Sequence, residues 1–426
     1  MALAAFLITL FVILPLGIPV AFILILCCIS LMHLLGNFSA FTIAHEILTG
    51  MNNSSLMAIP FFMLAGELMC QGGLSKRIVD FANILVGRVD GGLGYAAIIA
   101  SIIFAGLSGS PVADAAALGA IMIPMMAEAG YDRDVSTALV CAGAIIAPII
   151  PPSVPMIVLG SAVGISITQC FMAGIIPGIL IGIGLMIVWH VVVKRRGYKG
   201  NIIYTRKESW KIFKESLPAL VLPVIIIGGI RFGIVTATEA GSLACVYAIL
   251  ISLFVYREIK IKDLVSIAVV SGRSTAIVMF IVGCATAAGW LITVAKVPEQ
   301  FAQMLGPVVG NPLLLLVIIN VFFLFMGMVM DLTPNLLIFG PVIFPVIKLA
   351  GIDPIYFAVL MVYNLCLGLI TPPVGTILYL GCSVGHTRFE KLVHSLIPFL
   401  LAEFLVLFLF IFFPVLIRVP ASWFNG

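Results

Sequence analysis

Ser108, Ser110 and Asp114 lie close together in GLSGSPVAD (106–114), and Asp331 and Thr333 in MDLTPN (330–335). Both stretches sit inside long apolar sequence, as do Glu67, Glu239 and Thr371. An ionisable group at membrane depth is a functional candidate by default. Hydroxyl, carboxylate and carbonyl oxygens are the ligands that a hard cation takes. The N-terminus of a short helix favours an anion. The chemistry on offer is therefore the binding of a small cation, an anion, or both. Each group also has a plainer reading. A carboxylate four residues past a turn caps a helix without any ligand, which is the stronger reading for Asp114. Asp331 is expected near a bound ion. Arg231 and Glu239 are expected to pair with each other near an interface.

The elements that must position these residues are written twice. Residues 106–166 and 327–387 align without a gap at an offset of 221. Gly106 meets Gly327, Gly119 meets Gly340, Pro124 meets Pro345, and Asp132 meets Asp353. Pro151-Pro152 meets Pro372-Pro373. The matches are breakers and turn formers, so a backbone shape is repeated. One unusual backbone shape built twice in apolar sequence points to a transporter. In each copy two apolar runs of some 15 residues flank a tip, too short for two full spans. The pattern predicts re-entrant hairpins over 93–127 and 312–347. Each is followed by a span that proline must open, 135–165 at Pro148–Pro152 and 354–384 at Thr371–Pro373. The freed carbonyls need protein, water or an ion as partners.

The 426 residues are 62% hydrophobic and only 9% charged, with a mean hydropathy of +1.27. A soluble chain carries about 25% charged residues, so a polytopic membrane protein is expected. The net charge of +4 is spread over separate loops and gives no nucleic-acid signal. The nine cysteines form no CxxC and read as apolar filler. The five histidines show no metal-ligand spacing. Residues 2–35 are expected to form one retained helix, kinked at Pro15–Pro19. Residues 37–55 are more polar and could lie along the interface, and 75–92 reads as an amphipathic surface segment.

The basic loops 194–215 and 256–263 are expected in the cytoplasm. Five spans separate the loop at 128–134 from the second repeat: 135–165, 170–193, 217–232, 236–256 and 264–294. That odd number makes the repeats inverted, with 128–134 inside, 348–353 outside, and each tip facing the other repeat's broken helix. Residues 295–311 read as a loop and 392–417 as the last span. The expected organisation is N-terminal scaffold (1–92), first transport element (93–177), further scaffold (178–311), second transport element (312–398), and the end of the last helix (399–426).

Gly106-Leu107-Ser108-Gly109 also matches GxSG, the nucleophile motif of rhomboid intramembrane proteases, which gives an enzyme alternative. A serine nucleophile needs a base within hydrogen-bond reach. His33 and His190 lie nearest to membrane depth, neither with a supporting motif, and the second repeat has Val329 in place of the serine. No GxxxxGK[ST] loop is present, so energy is expected from an ion gradient or a partner rather than from ATP hydrolysis by this chain.

The chain resembles the large membrane subunit of tripartite ATP-independent periplasmic (TRAP) transporters, the DctM-like proteins. The residues that carry the resemblance are GGLSKRIVDFANILVG (72–87), GGLGYAAIIASIIFAGLSGSPVADAAALGAIMIPMM (91–126), GAIIAPIIPPSVPMI (143–157), GGIRFGIVTATEAG (228–241), GMVMDLTPN (327–335), AGIDPIYF (350–357) and GLITPPVG (368–375). Ala237 departs from the proline usual in a TPTEA run.

The resemblance implies an all-α fold of two inverted repeats with an elevator-type motion, in the bacterial cytoplasmic (inner) membrane. It implies Na⁺-coupled uptake of an organic acid (a sialic acid, a sugar acid or a C4-dicarboxylate) handed over by a soluble periplasmic binding protein. It also implies a small four-helix membrane subunit as a separate chain, and two or more coupling Na⁺ ions. Carried over residue by residue, one Na⁺ site uses Ser108, Ser110, Ala147, Ile150 and Pro152. The other uses Gly327, Asp331, Gly368, Thr371 and Val374. Substrate contacts fall to Ser108, Ser110, Asp331, Thr333 and Thr371. A stand-alone anion/Na⁺ carrier of inverted-repeat type is the alternative transporter.

Overall fold

The structure is a computed structural model and describes residues 2–200, 204–304 and 310–422. Parts of the expected loops 194–215 and 295–311, namely 201–203 and 305–309, lie outside the described residues, as does the end of the chain. No strand occurs among the described residues.

The chain opens with α1 (Ala2–Ile13) and α2 (Val20–Leu35). These are two helices packed side by side, not one kinked helix. Thr9 Oγ1 donates to Ser30 Oγ at 3.1 Å, and Cys27 Sγ reaches the Phe6 carbonyl, so the residues around Pro15 and Gly17 reverse the chain. Proline and glycine permit either outcome, and lateral packing decides it. Next come α3 (Ala40–Met51), α4 (Ala58–Gln71) and α5 (Leu74–Val86). α5 is amphipathic as expected, burying Leu74, Ile78, Val79 and Ala82 on one face.

The first repeat follows: α6 (Gly92–Ser108), α7 (Pro111–Glu128), α8 (Arg133–Ala144), α9 (Val154–Val163) and α10 (Ile167–Arg196). Then come α11 (Arg206–Arg231), α12 (Ala237–Leu250), α13 (Ile261–Val294) and α14 (Val297–Met304). Two expected loops are therefore partly helical. Thr205 and Glu208 form a reciprocal capping box that starts α11 inside the basic stretch 194–215. α14 occupies part of 295–311.

The second repeat is α15 (Pro312–Val329), α16 (Leu332–Leu349), α17 (Pro354–Leu369), α18 (Thr376–Gly385) and α19 (Phe389–Phe412), before a terminal α20 (Val415–Ser422). α16 starts and ends 221 positions after α7, so the repeat read in the sequence is a repeat of elements. Among the described residues nine helices are long and apolar enough to cross a membrane.

Around the repeats, α13 packs on α2, α3 and α4, while α12 packs on α4 and α11 on α5. α10 is one helix across residue 177 and lies against α6, α9, α17, α19 and α20. The division drawn at 177/178 thus falls within it.

Candidate functional site

The two hairpin tips are built differently. In the first, Gly109 closes α6 with φ +60°, a left-handed conformation that side chains rarely adopt. A Cβ there would also lie 2.6 Å from the Pro152 carbonyl oxygen. Ser110 then caps α7, its hydroxyl accepting from Ala113 N at 3.4 Å, and Pro111 fills the first helical position, where no N–H is needed. In the second, Met330 is extended (φ −125°), and Asp331 stands at the N-cap of α16 without a side-chain capping bond. Its carboxylate is exposed to the cavity beside it.

Each tip rests on the broken helix of its own repeat, which corrects the expected crossing of tips. Gly109 sits against Pro152, Ser153 and Val154. Gly327 sits against Leu365 and Gly368, so close that a Cβ on Gly368 would lie 2.4 Å from the Gly327 carbonyl carbon. The crossing between repeats occurs further out, where whole helices meet. α7 packs on α18, with Gly119 against Val384, and α16 packs on α9, with Gly340 against Leu159 and Val163. The hairpin helices run longer than the expected 15 residues, 17 in α6 and 18 each in α7, α15 and α16, and the last three are long and apolar enough to cross a membrane. In each hairpin the tip meets the break that follows it in the chain, while the second helix reaches the other copy.

The breaks leave carbonyls to satisfy. In the first, the Ser153 hydroxyl donates to the Pro148 carbonyl at 2.6 Å and accepts from Met156 N to cap α9. In the second, the Thr371 hydroxyl donates to the Leu367 carbonyl at 2.6 Å, turned back on its own helix. Both Pro-Pro peptide bonds are cis.

The tips, α4, α9 and α13 enclose a cavity of about 360 Å³. Ser108, Ser110, Asp331 and Thr333 line it, as do Glu67 of α4 and Ser271 and Ser274 of α13. Four of the sequence-derived site residues are thereby brought together. Ala147, Ile150 and Pro152 are buried at the first break, where Pro152 meets Gly109. Gly327, Gly368 and Thr371 are buried at the second, and Val374 is half-buried there. Thr371 does not line the cavity, so of the expected substrate contacts it is the one placed elsewhere. Thr371 lies two residues past the end of α17, from where its hydroxyl still reaches the carbonyl four residues back, and the sequence does not show which way it points.

Ser271 and Ser274 escaped notice in the sequence, being ordinary small residues within a long apolar helix. Glu67 stood out only as charge at depth, and its carboxylate accepts from Gln71 Nε2 at 2.6 Å. Ser110 rather than Asp114 provides the cap of α7. Glu239 likewise has a local task, forming a capping box with Thr236.

The described residues lining the cavity include two carboxylates, five hydroxyls and no Lys, Arg or His. The N-terminal ends of α7, α9 and α16 border it, each carrying about half a positive charge. Such a chamber suits cations at its oxygens and an anion held by helix ends and hydroxyls. The serine-protease arrangement is not formed. The Ser108 hydroxyl is bonded to the Asp114 carboxylate, His190 contacts the Tyr95 hydroxyl at 3.0 Å, and His33 lies against the Phe38 ring.

Known proteins agree with this architecture. Residues 7–416 match the family model described as the DctM component of the tripartite ATP-independent periplasmic transporter. The chain is 45% identical to the 2,3-diketo-L-gulonate TRAP transporter large permease protein YiaN of Escherichia coli, across 96% of both chains. It is 38% identical to the sialic acid TRAP transporter large permease protein SiaM of Vibrio cholerae, across 93% of both. Among solved structures, the YdaH transporter of Alcanivorax borkumensis shares the fold, with a TM-score of 0.63 at 14% identity, over 90% of this chain and 87% of that one.

Proposed function

The chain belongs to the DctM family of TRAP transporter large permeases, and from that premise we propose that it carries an organic acid across the membrane in symport with Na⁺. The observation that carries this reading is the cavity between the two tips. Among the described residues its side chains offer oxygens and two carboxylates but no basic group. An acid anion entering such a chamber needs accompanying cations, because like charges at close range in a poorly screened interior repel strongly.

The first Na⁺ is assigned to the junction of tip and break in the first repeat, at Ser108, Ser110 and the backbone of Ala147, Ile150 and Pro152. The second is assigned to the matching junction, at Gly327, Asp331, Gly368, Thr371 and Val374. Between them the acid takes the helix ends with Ser110 and Thr333. A sugar acid is the favoured substrate class. Two relatives of similar length are named for such solutes, 2,3-diketo-L-gulonate and sialic acid, and the hydroxyl-rich lining suits a polyhydroxylated acid.

As one component of a tripartite system, the permease is expected to work with a small membrane subunit and a soluble receptor on the periplasmic side of the inner membrane. The two repeats are read as inverted in the membrane, and the family resemblance implies an elevator-type motion. Uptake into proteoliposomes, with both partners and candidate sugar acids, tests the whole reading. Accumulation only under an inward Na⁺ gradient is the expected result, and equal uptake with K⁺ in place of Na⁺ refutes the coupling.

A further inference from the structure

Asp114 and Asn335 occupy one and the same place in the two repeats. They are 221 positions apart, and each is the fourth residue of the second hairpin helix. Both are fully buried. Both reach back across the turn to the end of the preceding helix. The Asn335 side-chain amide donates to the carbonyls of Met326 (3.2 Å), Met330 (3.1 Å) and Asp331 (3.0 Å). The Asp114 carboxylate accepts from the Ser108 hydroxyl, whose oxygen accepts in turn from Ser110 N at 3.2 Å. One tip is stitched by a donor to carbonyls, the other by an acceptor to a hydroxyl. In each case the remaining side-chain oxygen, Asp114 Oδ2 or Asn335 Oδ1, is buried without a hydrogen-bond partner among the described residues.

We propose that Asp114 and Asn335 are equivalent positioning residues, each holding its hairpin tip in the shape that receives a coupling ion. The inference rests on the Na⁺-coupled reading. Asp114 aims the Ser108 hydroxyl, and Asn335 fixes the turn that presents Asp331. Neither is a ligand itself. The two braces differ in what they tolerate. An asparagine at 114 still offers Oδ1 to the Ser108 hydroxyl, so the stitch survives. An aspartate at 335 has no N–H for the three carbonyls and sets acceptor against acceptor.

The test compares Asp114→Ala, Asp114→Asn, Asn335→Ala and Asn335→Asp in proteoliposomes with the receptor and small subunit, reading the Na⁺ concentration for half-maximal uptake. Asp114→Asn should stay near the parent. The other three should need about tenfold more Na⁺, the scale of a lost hydrogen bond near a charged group. Asp114→Asn as defective as Asp114→Ala would make the carboxylate itself an ion ligand and overturn the brace. So would Asn335→Asp behaving as the parent.

Backbone hydrogen exchange of the purified variants supplies a readout independent of Na⁺. Residues 106–110 should exchange faster in Asp114→Ala and residues 327–331 faster in Asn335→Ala, each without effect on the other tip. Unchanged exchange in both overturns the inference. Should the parent show no Na⁺ dependence, the coupling reading fails and hydrogen exchange still decides the brace. Should the alanine variants not fold, the isosteric pair Asp114→Asn and Asn335→Asp decides it by the same two readouts.

Discussion

Gly327 and Gly368 lie backbone against backbone. A Cβ on Gly327 would sit 2.6 Å from the Leu365 carbonyl oxygen, and one on Gly368 would sit 2.5 Å from the Gly327 Cα. These are main-chain atoms on two separate helices, so a methyl group is accommodated only by moving the tip off the broken helix. Gly327→Ala and Gly368→Ala should each destabilise the protein by about 1–3 kcal/mol and abolish uptake. Gly228→Ala, at a helical glycine with open space around it, is the control. Thermal unfolding in detergent with parallel uptake assays checks this, and parent-like behaviour of Gly368→Ala would refute the close contact.

Ser110 has two tasks on the proposed reading, capping α7 and offering oxygen to an ion. Ser110→Ala should lose about 0.5–2 kcal/mol of stability and raise the Na⁺ requirement. Ser110→Asn restores a capping side chain, so it should recover stability ahead of Na⁺ affinity. Recovery of both together would leave Ser110 as a cap alone. Combining Ser110→Ala with Thr371→Ala touches both junctions and should weaken Na⁺-dependent uptake beyond either change, with folded protein retained.

The inverted arrangement is open to labelling from one side. Glu128 and Leu349 are exposed, matched residues at the ends of α7 and α16. On the predicted topology a cysteine at 128 faces the cytoplasm and one at 349 the periplasm. A membrane-impermeant thiol reagent applied to spheroplasts should label Leu349→Cys and spare Glu128→Cys until the membrane is opened. Equal labelling of both would remove the inversion.

A polar cluster ties the start of α8 to the end of α10. Tyr198 donates to Asp132 Oδ2 at 2.8 Å, Arg196 pairs with the same oxygen at 2.6 Å, and the Tyr198 ring stacks on Tyr131 at 4.4 Å. The Arg196–Asp132 pair is half-exposed and should be worth at most about 1 kcal/mol. Tyr198→Phe removes a bond to a charged group, while Tyr198→Ala also removes the stack. The expected order of destabilisation is Tyr198→Ala, then Tyr198→Phe, then Arg196→Ala, by thermal unfolding. Arg196→Ala as the most damaging of the three would contradict it.

How far the sequence could be read depended on what kind of residue carried the message. Glycine and proline act on their own backbone, so hairpins and breaks were placed to within a few residues from Gly106–Pro111 and Pro148–Pro152. The capping box at Thr205–Glu208 is equally local, but it lies in a basic stretch whose charges read as loop. Partnerships set by tertiary packing were not readable. Nothing in the order of residues says that Gly327 chooses Leu365 and Gly368 over the other repeat, that Thr371 turns away from the cavity, or that Thr9 meets Ser30. The two junctions of tip and break were legible, and the cavity's serines on α13 only after folding had brought them there.

The fixed charge of the cavity sets an order of events under the proposed reading. Among the described residues Glu67 and Asp331 face it with no basic side chain beside them. The half-charges of the three bordering helix ends do not outweigh two carboxylates, so an empty chamber attracts a cation ahead of an acid. Ions must therefore arrive before the substrate, and a chamber that has lost its ions expels the acid it held. Such a carrier has little means of shuttling acid alone in either direction. Protection against leakage down the substrate's own gradient then follows from the requirement for ions itself.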